Sequence, residues 1–267
     1  TKTDGTLWAW GYNVNGALGH NNRTDYSSPV QIPGTTWSKN IQAVLYYNSF
    51  AVKTDGTLWA WGYNVNGHLG LNSRTSYSSP KQVPGTTWSS EIAITASSAF
   101  CIRTDGTLWA WGQNYRGELG DNSNTVRSSP AQVPGTNWSK LVGSSGEGGH
   151  VAYGAIKTDG TLWTWGQNLD GCLGQNQHQP GLTWVSSPVQ VPGTTWSEMC
   201  TSYNSFGAVK TDGTLWTWGN NVNGGQLGHN NTVAYSSPTQ VPGTGWENLG
   251  GSHSTGGFGM SAQKTSY

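Results

Sequence analysis

Apolar residues along this chain come in short runs, each bounded by Gly, Pro, Asn, Ser or Thr. Leu7-Trp8-Ala9-Trp10 is the most informative run. In an extended strand Trp8 and Trp10 share one face, and Leu7 and Ala9 share the other. Both faces are apolar, which predicts a strand buried on two sides. Thr3-Asp4-Gly5-Thr6 precedes it, and Asp-Gly between β-forming residues predicts a tight type I′ hairpin turn. A polar loop, His20–Tyr26, follows. Next comes a short strand through Val30 and Ile32 with Pro29 and Pro33 at its ends, the mark of an outer strand. A third run starts at Trp37 and continues through Ile41, Ala43 and Leu45. Phe50-Ala51-Val52 then leads into Lys53 and the next Asp-Gly turn.

The same order of four strands recurs along the whole chain. The segment Lys2–Gly11 returns, with Lys/Arg and Ala/Thr exchanges, at Lys53–Gly62, Arg103–Gly112, Lys157–Gly166 and Lys210–Gly219. Its Trp-Gly pairs begin at residues 10, 61, 111, 165 and 218, giving steps of 51, 50, 54 and 53 residues. A period of this size with four short strands is the content of one propeller blade. Ser-Ser-Pro recurs from Ser27, Ser78, Ser128, Ser186 and Ser236. Pro-Gly-Thr-x-Trp recurs at Trp37, Trp88, Trp138, Trp196 and Trp246, with Thr244-Gly245 in the last copy. Of the 16 Trp, only Trp184 lies outside these motifs, so Trp serves the framework. Burying one Trp is worth about 4–6 kcal/mol as an upper estimate.

The chain opens on the Asp-Gly hairpin and closes on the two strands that should precede one, Trp246–Gly250 and Phe258–Ala262. The expected fold is therefore all-β. It is a single domain over residues 1–267, a five-bladed β-propeller of four-stranded blades whose ring is closed by one blade shared between the N- and C-termini. Closure removes exposed sheet edges.

Composition narrows the function classes. Lys+Arg and Asp+Glu are both 13, so the formal net charge is zero. A nucleic-acid or anionic-membrane partner would leave a basic excess, so neither is expected. No apolar run reaches the length of a membrane helix. Cys101, Cys172 and Cys200 differ in repeat position and match neither a disulfide framework nor a zinc spacing. The recurrent Asp4, Asp55, Asp105, Asp159 and Asp212 fit turn chemistry, with no second recurrent carboxylate to complete a cation cage. His20 and His229 share a repeat position held elsewhere by Leu71, Asp121 and Gln175, which gives no metal pair. No catalytic residue, metal or cofactor is expected.

The wording Asp4-Gly5-Thr6-Leu7-Trp8-Ala9-Trp10-Gly11, then Ser27-Ser28-Pro29, then Trp37-Ser38, then Ser49-Phe50-Ala51-Val52-Lys53, resembles the repeat of the regulator of chromosome condensation family. The resemblance spans essentially the whole chain. It implies a propeller; that family is known for seven blades locked by both termini, whereas this chain has five repeats. A chromatin member of the family acts on a small GTPase and binds nucleosomes. Bacterial and phage relatives with this wording look like surface, virion or inhibitor modules.

In a propeller the framework repeats and the site varies. The loops after the Pro-Gly-Thr-x-Trp strand are therefore the first candidates, with Tyr46, Tyr47, Asn48, His150, Tyr203, Asn204 and His253 as ligand-binding residues. Tyr and Asn side chains stack on and hydrogen-bond sugars or protein loops. Tyr47-Asn48-Ser49-Phe50 and Tyr203-Asn204-Ser205-Phe206 are one tetrapeptide in two blades. Trp184, on the longest loop of the second set, is the remaining candidate. For both loop sets, ordinary turn or self-packing roles are the competing reading. The sequence thus predicts a non-enzymatic binding propeller. Its expected setting is a bacterial surface protein or phage virion, extracellular, at the cell surface or on the virion. There it would engage a glycan or a protein, with oligomeric state undetermined. The alternatives are an intracellular regulator of a small GTPase or chromatin, and a purely structural repeat scaffold.

Overall fold

The strands form where the alternation places them in a computed structural model, which describes residues 1–43, 48–95, 98–143, 152–177, 184–202, 204–222, 224–251 and 259–264. Two compact units divide the chain. The first comprises Thr1–Tyr115 and Thr125–Val133. It holds a two-stranded sheet, β1 (Leu7–Gly11) with β2 (Tyr26–Ile32). Two four-stranded sheets accompany it: β3 (Trp37–Ala43), β4 (Asn48–Lys53), β5 (Leu58–Gly62) and β6 (Tyr77–Gln82), then β7 (Trp88–Ile94), β8 (Ser98–Arg103), β9 (Leu108–Gly112) and β10 (Arg127–Gln132).

The second unit comprises Arg116–Asn124 and Pro134–Tyr267. Its four-stranded sheets are β11 (Trp138–Gly143), β12 (Ala152–Lys157), β13 (Leu162–Gln167) and β14 (Trp184–Gln190), then β15 (Trp196–Ser202), β16 (Ser205–Lys210), β17 (Leu215–Gly219) and β18 (Tyr235–Val241). A two-stranded sheet of β19 (Trp246–Gly251) and β20 (Met260–Lys264) follows. All pairings are antiparallel and join neighbours in sequence, as blades require. The Ser-Ser-Pro strand is an edge in each of the five sheets that contain it, which accommodates its prolines. Among the described residues the sole helical turn is a 3-10 turn at Leu169–Gly171.

The Asp-Gly turn differs from the type I′ form expected. The Gly5 N–H donates to the Lys2 carbonyl, and positive φ falls on Gly5 (78°) and not on Asp4. The cause is the Asp side chain, whose Oδ1 accepts both the N–H and the hydroxyl of Thr6 at 2.9 and 2.6 Å. That bond to the residue two positions ahead holds Asp in the turn, and only Gly takes the left-handed step. The Thr6 hydroxyl in turn accepts the Trp8 indole N–H at 2.9 Å. The relay repeats at Asp55, Asp105, Asp159 and Asp212.

The second Trp of the last four Trp-x-Trp motifs is the joint between successive blades. Trp61, Trp111, Trp165 and Trp218 are buried, while each first Trp is half-buried. Their indole N–H groups donate to the carbonyls of Ala17, His68, Glu118 and Cys172, in the preceding blade, at 2.8–3.0 Å. The ring lies so close to Gly19, Gly70, Gly120 and Gly174 that a Cβ there would sit 2.8–2.9 Å from it. Beside the ring, Asn21, Asn72, Asn122 and Asn176 donate backbone N–H groups at 2.7 Å to the carbonyls of Ser78, Ser128, Ser186 and Ser236. The basic residue before Thr-Asp-Gly lies over two Trp rings: Lys53 Nζ is 4.8 Å from the centroid of Trp37 and 4.4 Å from that of Trp59. Arg103, Lys157 and Lys210 repeat that arrangement, which explains why the position stays cationic.

Candidate interface at the turn end of the blades

Strand register decides which loops share an end of each sheet. Asn48 pairs with Gly62, and Gly62 pairs with Tyr77. The start of β4 and the turn after Gly62 therefore lie at one end of this sheet, and the Asp-Gly turns lie at the other. Ser98 with Gly112, Ala152 with Gly166 and Ser205 with Gly219 repeat the arrangement.

A buried Asn builds the turn at that end. Asn64 Oδ1 accepts the Leu69 N–H at 2.8 Å, and its Nδ2 donates to the carbonyls of Ser73 and Thr75 at 2.9 Å. Asn13 and Asn221 make the same contacts. One side chain thus pins both the turn and the polar loop beyond it. The following residue is forced outward, and it is large and apolar: Val14, Val65, Tyr115 and Val222 are all exposed, as is Tyr12. Isolated exposed apolar residues are ordinary, but the same turn position presenting one in several blades is not. These residues are not among the sequence-derived candidates. The available signal is Asn-Val-Asn-Gly itself, in which an apolar residue recurs inside a turn and outside any strand period.

Polar groups beneath the turns vary from blade to blade. His68 is buried, and among the described residues neither of its ring nitrogens is hydrogen-bonded. Its ring lies 6.3 Å from that of Tyr63, and burial pushes its pKa down to about 4, so it is neutral near pH 7. Glu118, equally buried, accepts the Arg116 N–H through Oε2 at 2.6 Å. Gln226 donates to Asn220 Oδ1, and Asn220 donates to Asp170 at 2.7 Å. The turn acids Asp4, Asp55, Asp105, Asp159 and Asp212 are held below their ordinary pKa, chiefly by the Thr hydroxyl. Burial raises the thiols of Cys172 and Cys200 to about 12, and Cys101 is also raised. The described residues contain no cluster of His, Cys, Asp or Glu able to hold a metal.

Of the sequence-derived candidates, Tyr46, Tyr47, His150, Tyr203 and His253 lie outside the described residues. Asn48 is buried, and among the described residues neither its amide oxygen nor its nitrogen has a hydrogen-bond partner. Asn204 is buried with φ at 49°, and its carbonyl accepts the Asn220 N–H. The two matching tetrapeptides are not structurally equivalent. Phe50 pairs with Ala60, whereas Phe206 pairs with Trp218 and stacks on it with the rings 6° from parallel. Gly207, ahead of Ala208-Val209, shifts the register by one residue. Trp184 is exposed and pairs with Gln167, which places it at the turn end of its own sheet.

The model of the regulator of chromosome condensation (RCC1) repeat matches residues 4–44, 55–102, 105–152, 159–202 and 212–248. The chain belongs to the regulator of chromosome condensation repeat family. The human protein RCC2 is 35% identical over 83 residues, which is 30% of this chain and 16% of RCC2, and its mouse counterpart matches to the same extent. Among solved structures, human WBSCR16 superposes with a TM-score of 0.73 at 18% identity, covering 93% of this chain and 65% of that one. Prp20p from Saccharomyces cerevisiae, described with its binding to Gsp1p and histones, gives 0.72 at 18% identity, covering 93% and 63%. The yeast RCC1 (Prp20) bound by Kap60 gives 0.72 at 19% identity, covering 94% and 63%. These likenesses establish the propeller fold. This chain spans less than two thirds of those solved relatives and about a sixth of the curated ones. The relatives also correct the expected location. They are proteins of human, mouse and yeast, one of them described with its binding to Gsp1p and histones, which does not fit an extracellular, cell-surface or virion module. Near-identical Gly/Asn/Ser/Thr-rich repeats describe how blades are built and carry no address.

Proposed function

We propose that this propeller is a non-catalytic protein-recognition module of the intracellular-regulator kind. Its partner is a small GTPase or a chromatin protein, bound at the turn end of the blades. The observation that carries the reading is the exposed apolar residue at equivalent turns of the first unit, Val14, Val65 and Tyr115, with a buried Asn hub mounting Val14 and Val65. A repeated, rigidly mounted apolar contact surrounded by polar loops suits a protein surface. The relative Prp20p, described as binding Gsp1p and histones, supports the partner class. The chemistry of the described groups supports a non-catalytic role: the thiols stay protonated, the turn acids stay ionised, and His68 is neutral with no carboxylate bonded to it.

The test is titration of the purified chain with a Gsp1p-type GTPase and, separately, with histones, alongside the variant Val65→Glu/Tyr115→Ala. Binding that the double variant weakens by roughly tenfold or more, with its circular dichroism unchanged, is expected. Absence of binding to both partners, or equal binding by the variant, contradicts the proposal.

A further inference from the structure

Two buried Asn hubs of the first unit each fix a second residue besides the exposed Val. Asn13 Nδ2 donates to the carbonyls of Asn22 and Thr24 at 3.2 and 3.0 Å. Asn64 Nδ2 donates to those of Ser73 and Thr75 at 2.9 Å. The residue between each pair of carbonyls is an arginine, Arg23 in one loop and Arg74 in the other. Its backbone is held from both sides, and the residue is exposed. A second bond stiffens each loop: the Thr24 N–H donates to Asn22 Oδ1 and the Thr75 N–H to Ser73 Oγ, both at 3.0 Å. One Asn therefore mounts an apolar residue and a cationic one, Val14 with Arg23 and Val65 with Arg74.

Both loops lie inside the first unit, and each is backed by the next blade. The Asn21 N–H donates to the Ser78 carbonyl and the Asn72 N–H to the Ser128 carbonyl. Ser78 follows the Arg74 loop in the chain, so the two arginine loops are neighbours. Among the described residues neither guanidinium makes an ion pair or a hydrogen bond. By contrast, Arg103 lies over Trp88 and Trp109, and Arg116 donates to Gln167 Oε1 at 3.3 Å. The hub does not need the arginine: in the fifth repeat Asn221 holds the carbonyls of Asn231 and Val233 around Thr232. Nor does it need the nearby acid. Asp25 Oδ1 accepts the Asn13 N–H at 2.7 Å, and at the same place in the next blade Ser76 Oγ accepts the Asn64 N–H at 3.1 Å.

We propose that Arg23 and Arg74 determine the specificity of the turn-end site by receiving carboxylates from an acidic segment of the partner. The proposal rests on the protein-recognition reading given above and chooses between its two partner classes. A guanidinium binds a carboxylate through two parallel hydrogen bonds, and a rigid mount lowers the entropy that such a contact costs. The valine fixed by the same Asn supplies an apolar contact, which a phosphate backbone would leave unused. Histone chains are rich in Lys and Arg and would meet like charge here, so the pair favours an acidic face on a small GTPase. Asp25 is the one acid in residues 20–26 and 71–77, and it opposes such a partner.

Residues that other repeats carry supply variants the fold accepts. Arg23→Thr/Arg74→Thr copies Thr232, and Asp25→Ser copies Ser76. Affinity for a Gsp1p-type GTPase is measured by titration calorimetry at low and at physiological salt, with circular dichroism as the check on folding. Arg23→Thr/Arg74→Thr should weaken binding about fivefold at low salt and flatten its salt dependence, and Asp25→Ser should tighten it about twofold. A purely structural role for these loops gives no such gain. If Val65→Glu/Tyr115→Ala abolishes binding while neither loop variant changes affinity or salt dependence, the carboxylate pairing is overturned and the turn-end site stands. If the unmodified chain does not bind the GTPase, the recognition reading falls and the pairing falls with it. Tighter binding of histones, or of a DNA duplex, than of the GTPase also overturns the acidic-protein assignment.

Discussion

Replacing Trp111 with Phe removes one hydrogen-bond donor and part of a ring from a blade joint. The indole N–H donates to the His68 carbonyl at 2.9 Å, and both residues are buried. Orphaning that carbonyl costs about 1–3 kcal/mol, since water cannot reach it. The lost ring volume leaves a void beside Gly70 worth about 1–2 kcal/mol more. The sum is about 2–5 kcal/mol, or a fall in Tm of about 5–15 °C for a chain of this size. Trp109→Phe is the matched control. Its indole donates to the half-exposed Thr107 hydroxyl, which keeps its bond to Asp105, so about 1 kcal/mol or less is expected. Thermal and urea unfolding followed by circular dichroism give both values. Equal losses for Trp111→Phe and Trp109→Phe would refute the assignment of the joint to the second Trp of the motif.

Three further outcomes follow from the surroundings of the titratable groups. His68 has a folded pKa of about 4 against an ordinary 6.5, so the unfolded chain binds the proton first. Its contribution is therefore whole above pH 6.5 and is lost as pH falls toward 4, by about 3 kcal/mol. His68→Gln should flatten that limb of a stability-against-pH curve, and an unchanged slope would show that His68 does not titrate there. The turn acids, whose pKa is lowered in the fold, lose their contribution only at lower pH, as it falls through the carboxylate range. Cys101, Cys172 and Cys200 are buried with raised thiol pKa, so a thiol reagent at pH 8 should modify them only at the rate of unfolding. Rapid modification of the native chain would contradict that burial.

The period, the four strands per blade and the framework role of Trp are legible in the sequence, because alternation and Asp-Gly turns are local signals. The blade joints are not. Their acceptors are main-chain carbonyls at Ala17, His68, Glu118 and Cys172, and no side-chain pattern marks a carbonyl. The turn type also escapes, because Asp-Gly suits both forms and the Asp–Thr bond selects between them. Asn48 reads as a solvated loop residue and is buried at the head of β4. Tyr47–Phe50 and Tyr203–Phe206 read as equivalent, yet an extra Gly207 moves one against Trp218 and the other against Ala60. The exposed Val65 and Tyr115 escape because an apolar residue reads first as a strand signal.

The central claim, recognition of a protein at the turn end of the blades, is tested most directly by hydrogen exchange of the chain with and without saturating Gsp1p-type GTPase or histone. Protection is predicted in the turns at residues 12–17, 63–68 and 113–118, with the Asp-Gly turns at residues 54–57 and 104–107 unchanged. Protection confined to the Asp-Gly turns, or no change at either end, would contradict it.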